Sequence, residues 1–528
     1  MREREADMKV LGIESTAHTA SVGFVSDGEI VDFRSHSYRP LKGGINPREA
    51  ADHHRLYFPV ILDELLNEWD LRLKDFDKIA VSTGPGLGPS LKVGVSLARY
   101  ISLRVGKPLV SVNHGVGHLE ISRKLSGFRN PLFLYVSGGN TQLVSIGNRR
   151  YSVLGETLDI GVGNFLDKIA RDMGYPFPGA PNIESLARQG EKVLSCPYVV
   201  KGMDVSFSGL YTFLKNVIGR ESPEDIAFNA QEYAFTALAE ILERGMAHFG
   251  ITQFSITGGV ARNRRLREIL SGMAEMRGYE YYFPDERYLS DNGAMIALAG
   301  YMSSDIRRTI NIDMNDRVDS RRVEWIGKNT LKPKAMVGGE SLVSPSRLYG
   351  MDCIIKKRTG VDYRNRMIDR RISTARLKRE VKMLAALKNA GINAPTVLFV
   401  DLDDMEFVMD KIDSRNLSTL LNDKNFGNYL REAGKNIAKL HDRGMSHGDL
   451  NVGNILIGDG LFIIDPSMGE LNAEDEDMGV DLHLMKKSLE TLGKKRYYES
   501  FLEGYRKYKR SSLIIRKVKE IEGRRRYT

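Results

Sequence analysis

Residues 135–146 read YVSGGNTQLVSI: a β-type run enters a tight turn of small polar residues, Ser137-Gly138-Gly139-Asn140, and a second β-type run returns. Such a turn aims backbone N–H groups and short hydroxyls at one point, which suits phosphate oxygens. GIESTAHTASVGFV (12–25) repeats this pattern. ITGGVARNRRLR (256–267) is instead a strand–Gly-Gly–helix junction, where missing Cβ atoms let a flat ligand approach the backbone. Around these segments, short apolar runs such as IAVSTGPG (79–86), LVSVNHG (109–115) and LFLYVSGG (132–139) alternate with longer helical patterns. The alternation predicts an α/β architecture of layered sheets and helices.

A single Gly-Gly turn is usually a plain hairpin. In this order and spacing, however, the three segments resemble the two phosphate motifs and the adenosine motif of the actin–Hsp70–sugar-kinase (ASKHA) superfamily. That resemblance implies two similar lobes around a nucleotide cleft.

The chain of 528 residues has room for roughly three to four compact units. With 42% hydrophobic and 27% charged residues it reads as globular, which excludes extensive disorder and fibrous repeats. No apolar run approaches the roughly 20 residues of a membrane span, and the charged start MREREADMKV has no signal-type apolar core. Only Cys196 and Cys353 occur, which excludes a disulfide framework and a Cys-type zinc site. The expectation is a cytoplasmic protein with no membrane partner. The pattern stops near Trp325, and the polar stretch IGKNTLKPK (326–334) reads as a linker between a unit over 1–325 and another over 335–528. The whole net charge of +9 lies after residue 330, with 12 basic against 4 acidic residues in 351–390 and 10 against 3 in the last 28. A segregated basic patch suits a phosphate-rich partner such as nucleic acid, although a solvated surface carries the same signature.

NHGVGHLE (113–120) sets His114 and His118 at i and i+4, on one helical face, as a metal requires. No glutamate lies between them, so the general base of a zincin protease is missing. Tyr135, and Asp291 in LSDNGAMIA (289–297), are two further candidate ligands. Two nitrogen and two oxygen donors suit Fe²⁺ or Zn²⁺ better than Mg²⁺.

NHGVGHLE, YVSGGNTQL, DIGVGNFLDK (159–168), PGAPNIE (178–184), GGVARN (258–263) and SDNGAMIA (290–297) resemble, in order, the TsaD family of tRNA threonylcarbamoyladenosine synthases over about residues 8–325. The resemblance implies that His114, His118, Tyr135 and Asp291 hold the metal. It also implies that Tyr135, Val136, Ser137, Gly138 and Gly139, with Asp167, Ala180, Glu184 and Asn263, bind threonylcarbamoyl-AMP. Ala180 stands where the family commonly has glycine, and the expectation is that its backbone N–H still serves the ligand. Read alone, Asp167 and Glu184 would be solvated helix charges.

In the second half, SHGDLNVGNILI (446–457) places Asp449 and Asn454 five apart, as in a protein-kinase catalytic loop, and Asp465 follows in LFIIDPSMG (461–469). Lys356 in DCIIKKR and Glu380 in ARLKREVKMLAAL (375–387) supply the expected ion pair beside ATP. Gly338, Gly339, Glu340 and Ser341 form a shortened nucleotide loop. Asp449 is the expected catalytic residue, with Asn454 and Asp465 as Mg²⁺ ligands. HGD replaces HRD, DPS replaces DFG and no APE segment follows, and the short span 335–528 leaves little room for a peptide-docking lobe. The segment resembles the small RIO-like kinase of the KEOPS complex over about 335–528. It implies an atypical Ser/Thr kinase or ATPase, with the tail RKVKEIEGRRRYT helping to hold tRNA.

Together these readings describe a fusion that transfers threonylcarbamoyl to the adenosine beside the anticodon in tRNAs reading codons that begin with A. The adenylate comes from a separate synthase, and other KEOPS subunits are expected partners. The rivals are an autonomous Ser/Thr protein kinase with a nucleotide-binding N-terminal module, and a metalloprotease.

Overall fold

The fold is that of a computed structural model, which describes residues 7–40, 44–147, 149–320, 322–326, 341–348 and 350–523. Nearly all of the expected linker, and Arg524, Arg525 and Arg526 of the tail, lie outside these residues, as do Gly338, Gly339 and Glu340.

Two sheets built on one plan organise the first half. Lys9–Glu14 pairs antiparallel with Thr19–Ser26, which pairs with Glu29–Ser37, while Lys78–Gly84 and Leu109–Asn113 extend the other edge in parallel. Leu132–Val136 repeats this with Thr141–Gly147 and Arg150–Glu156 on one side, and with Gln253–Thr257 and Glu280–Tyr282 in parallel on the other. The strands read as apolar runs because helices cover them; Val10, Leu11, Ile13, Leu132, Phe133 and Leu134 are all fully buried.

The lobes exchange helices. His114–Ser126 leaves the first sheet and packs against the second, Ser122 Oγ lying 2.7 Å from Ser255 Oγ. Gly293–Met302 follows the second sheet and packs under the first, where a Cβ on Gly12 would meet the Gly293 carbonyl at 2.1 Å. Asparagines set both starting points: Asn113 Oδ1 accepts from Val116 N at 3.0 Å, and Asn292 Oδ1 from Met295 N at 2.9 Å.

The second half has a four-stranded antiparallel sheet, in spatial order Ser341–Leu348, Met351–Arg358, Glu406–Asp410 and Val397–Asp401, with the helix Arg366–Asn389 beside it. A helical lobe of Phe426–Asp442, Asp475–Thr491, Tyr498–Tyr505 and Ser511–Gly523 follows. Ser511–Gly523 belongs to the core, burying Ile514, Val518 and Ile521.

The halves meet along the helix Pro223–Phe249. Glu240, fully buried on it, accepts from Arg376 at 2.8 Å, Tyr198 Oη at 2.6 Å and Arg244 Nε at 3.0 Å. Tyr363 Oη donates to Glu243 at 2.5 Å and Lys487 Nζ to Asp204 at 2.8 Å. Part of the basic bias of 351–390 is taken up inside the fold, while Arg366, Arg370, Arg371, Lys378, Arg379, Lys382 and Lys388 stay exposed. Lys356, Arg358, Arg364 and Arg376 are buried, and carboxylates neutralise them, Lys356 and Arg358 meeting Glu380, Arg364 meeting Asp369, and Arg376 meeting Glu240. A charge count along the sequence does not distinguish such pairs from free cations.

Removing one member of a buried ion pair strands the other charge. Glu240→Ala should therefore destabilise the chain by about 3–5 kcal/mol, read as a lower midpoint in thermal or denaturant unfolding, whereas Glu268→Ala, exposed on its helix, should change stability by less than about 0.5 kcal/mol.

Candidate functional site

The helix exchange brings His114, His118 and Asp291 together, with one donor atom from each lying within 4.8 Å of the others. Asp291 Oδ1 is 3.3 Å from His118 Nε2 and 3.6 Å from His114 Nε2. The Nδ1 atoms point outward. His114 Nδ1 lies 3.0 Å from Glu14 Oε2 and 3.1 Å from Thr16 Oγ1, and His118 Nδ1 lies 3.4 Å from Thr257 Oγ1. A carboxylate can only accept, so the Glu14 contact sets a hydrogen on His114 Nδ1 and leaves Nε2 as the nitrogen that faces Asp291.

Burial works against a charged His114, but the Glu14 and Asp291 carboxylates outweigh it and raise the imidazole to about 9. Burial lowers His118. Burial also opposes ionisation of Asp291, yet His114 and His118 hold its carboxyl below the usual range. Two buried imidazole nitrogens facing one carboxylate oxygen fit a first-row divalent ion.

Tyr135, fully buried, has its ring 5.3 Å from that of His118, and its hydroxyl accepts from Asn140 Nδ2 at 3.1 Å. It is the last residue but one of the strand Leu132–Val136, where it pairs with Thr257. Val136 is buried behind it. In the turn beyond, Ser137 N donates to the Asn140 carbonyl at 2.8 Å and Asn140 N to Ser137 Oγ at 3.0 Å. Gly258 packs so tightly here that a Cβ on it would lie 2.3 Å from the Val136 carbonyl, and one on Gly161 would lie 2.5 Å from the Gly138 carbonyl and 2.7 Å from that of Gly139. The turn of 135–146 is therefore packed as one unit with Gly161 and with Gly258 of the segment 256–267.

The remaining expected ligands form two pairs. Asp167 Oδ1 accepts from Gly179 N at 2.7 Å and Ala180 N at 3.0 Å, and burial raises its carboxyl. The Ala180 N–H thus meets Asp167 at the start of the helix Ala180–Ala187. Glu184 Oε1 accepts from Arg264 N at 3.1 Å. Asn263 caps the helix Arg264–Arg277 through Leu266 N and donates to Gln231 Oε1 at 3.0 Å. Glu184 and Asn263 thus meet at one helix start. Across the cleft, His18 of the first lobe meets Phe177 of the second edge-on, with centroids 5.8 Å apart.

In the second half Lys356 Nζ donates to Glu380 Oε1 at 2.6 Å and lies 3.0 Å from Asp465 Oδ1. Asn454 Nδ2 donates to the Asp449 carbonyl at 2.8 Å. Burial opposes ionisation of Asp465, but Lys356 and then Arg358 hold it well below the usual carboxylate range. Burial raises Asp449, with Arg244 acting against it. Ser341 lines the same cavity. Its far wall belongs to the first half, where Arg244 Nη1 lies 3.3 Å from Asp449 Oδ2.

Sequence reasoning missed Glu14, Thr16, Thr257 and Arg244. Glu14 carried a signal, being an acid at the end of an apolar strand in a glycine-turn segment. Arg244 carried none, because its partner lies 205 positions away.

A two-lobed nucleotide cleft with a histidine-rich centre, joined to a kinase-like cleft, defines the class. The sequence matches the family described as TsaD, tRNA N6-adenosine threonylcarbamoyltransferase, over residues 29–298, and the lipopolysaccharide kinase (Kdo/WaaP) family over residues 332–505. It is 44% identical over 492 residues to a probable bifunctional tRNA threonylcarbamoyladenosine biosynthesis protein of Thermoplasma acidophilum, covering 92% of this chain and 93% of that one. Proteins of the same description from Methanocaldococcus jannaschii (41% identical, 98% and 100% covered) and Thermoplasma volcanium (39%, 98% and 100%) are similar throughout. The chain belongs to the family of bifunctional tRNA threonylcarbamoyladenosine biosynthesis proteins, with a TsaD domain fused to a kinase-like domain.

Loss of one imidazole should weaken Zn²⁺ or Fe²⁺ binding at least about tenfold, as even outer hydrogen-bond partners of ligands are worth about 10–100-fold. Chelator competition should show this loss for His118→Ala, and a loss of about tenfold for Glu14→Gln; unchanged affinity in His118→Ala would exclude it as a ligand.

Proposed function

We propose that the first domain transfers the threonylcarbamoyl group from threonylcarbamoyl-AMP to N6 of the adenosine beside the anticodon, in tRNAs reading codons that begin with A. The observation that carries this reading is the convergence of His114, His118 and Asp291 beside the packed glycine turns. These three side chains, with Tyr135, would hold one Fe²⁺ or Zn²⁺, which when bound supplies Lewis-acid polarisation and a template for the acyl donor. The turn Ser137–Gly139 would receive the phosphate of the adenylate, and Glu184 and Asn263 its nucleoside, with the Asp167 carboxylate holding the start of the neighbouring helix. Enclosure between the lobes keeps water from the mixed anhydride while the tRNA amine approaches.

The second domain would bind ATP with Mg²⁺ through Lys356, Glu380, Asn454, Asp465 and the loop Gly338–Ser341, with Asp449 receiving the proton of the attacking group. Its role would be that of an ATPase supporting the transfer inside a KEOPS-type complex in the cytoplasm. Among the described residues no helix is long and apolar enough to cross a membrane. An autonomous protein kinase is less well supported, because the first domain covers Asp449. A metalloprotease is disfavoured too, because Glu14 beside the histidines is fully buried, with one oxygen on His114 and the other on Thr16 N.

The purified chain, given the adenylate-forming synthase, threonine, bicarbonate, ATP, the remaining complex subunits and cognate tRNA, should produce threonylcarbamoyladenosine, detected by mass spectrometry of tRNA nucleosides. His114→Ala should abolish the product. No modified nucleoside from the intact chain under these conditions would reject the proposal.

A further inference from the structure

We infer that Arg244, a residue of the first domain, belongs to the phosphoryl-transfer site of the second. There it neutralises charge on the phosphoryl group as that group leaves ATP. The inference rests on the reading of the second cleft as an ATP-hydrolysing site.

Arg244 lies near the end of the helix Pro223–Phe249, whose last turns form one wall of the cavity that holds Lys356, Asp449, Asn454 and Asp465. Its Nε is fixed by Glu240 Oε1 at 3.0 Å, and its Nη1 reaches Asp449 Oδ2 at 3.3 Å. Asp465 lines the same cavity as Arg244 and Asp449. Asp449 marks the acceptor side of phosphoryl transfer and Asp465 the donor side. Arg244 touches Asp449 in a cavity that Asp465 also lines, so its cation borders the space the transferred group must cross. Among the described residues lining the cavity, Arg244 is the only arginine or lysine contributed by the first domain.

An ordinary interfacial ion pair is the simpler account, but the interface does not need this one. Arg376 on Glu240, Tyr363 on Glu243 and Lys487 on Asp204 already join the halves. Arg244 is also anchored on its own helix through Glu240.

In hydrolysis a water oxygen forms a bond to the γ-phosphorus and the bond from that phosphorus to the β–γ bridging oxygen breaks. Its electron pair leaves with ADP, and the water proton passes to the Asp449 carboxylate. Negative charge rises on the bridging and γ oxygens, and a preplaced guanidinium stabilises it without reorganisation. The second cleft is then complete only while the first domain is docked.

The test uses the full chain, as wild type, Arg244→Ala and Arg244→Lys. ATP turnover is measured together with calorimetric binding of MgADP, with and without aluminium fluoride, which mimics the phosphoryl group in transfer. Arg244→Ala should lower turnover about 100-fold or more while leaving the MgADP affinity within about threefold, and should lose the tighter binding that aluminium fluoride confers. Arg244→Lys should recover part of both, and an unchanged unfolding midpoint in either variant shows that the interface persists. Turnover and aluminium fluoride enhancement equal to wild type in both variants would overturn the inference while leaving the ATPase reading intact. Increased turnover in Arg244→Ala would overturn it too, by making the arginine an obstruction. Failure of the wild type to bind MgADP would overturn the ATPase reading, and the inference with it.

Discussion

Asp291 gives up most of its contact with water and faces two imidazoles, behind one of which stands a second buried carboxylate, Glu14. Acid and base alternate along Glu14, His114, Asp291 and His118, so each removal from water is offset by a neighbour of the opposite kind. The chain of contacts spans both lobes. Glu14 and the histidines come from the first sheet and its following helix, and Asp291 from the segment after the second sheet. The site therefore exists only because the two lobes exchange helices, and the glycines at the crossing are there because no methyl group fits.

A second constraint runs outward along the helix Pro223–Phe249. Gln231 on it holds Asn263 beside the first cleft, and Arg244, thirteen residues on, faces Asp449 in the second. At about 1.5 Å per residue the two contacts are roughly 20 Å apart on one rigid element. Between them Glu240 and Glu243 take up Arg376 and Tyr363 of the second domain. Buried ion pairs of this kind fix geometry more than they add stability, which suits a junction whose register decides what enters the second cleft.

Much of this was legible in the residues. The Ser137–Asn140 turn, the His114 and His118 pair and the Asp449, Asn454 and Asp465 spacing each carry local chemistry at short range, and the strand ends and the metal-type helix lie where the apolar runs and asparagine caps put them. What stayed hidden was non-local. Glu14 meets His114 across 100 positions, and Arg244 meets Asp449 across 205. Within the basic stretch 351–390 the burial of Arg376 on Glu240 was hidden for the same reason, its partner lying 136 positions away. The contact of Ala180 N with Asp167, thirteen positions upstream, was likewise not visible in the local sequence.

The most direct test of the central claim is X-ray absorption spectroscopy on the purified full-length chain. The edge identifies the element, and the fine structure counts its neighbours. A single first-row ion with two imidazole nitrogens and two further oxygen neighbours, all at about 2.0–2.2 Å, is the expected result. A shell of oxygens alone, a sulfur neighbour, or an imidazole signal that persists when both His114 and His118 are replaced by alanine would contradict it.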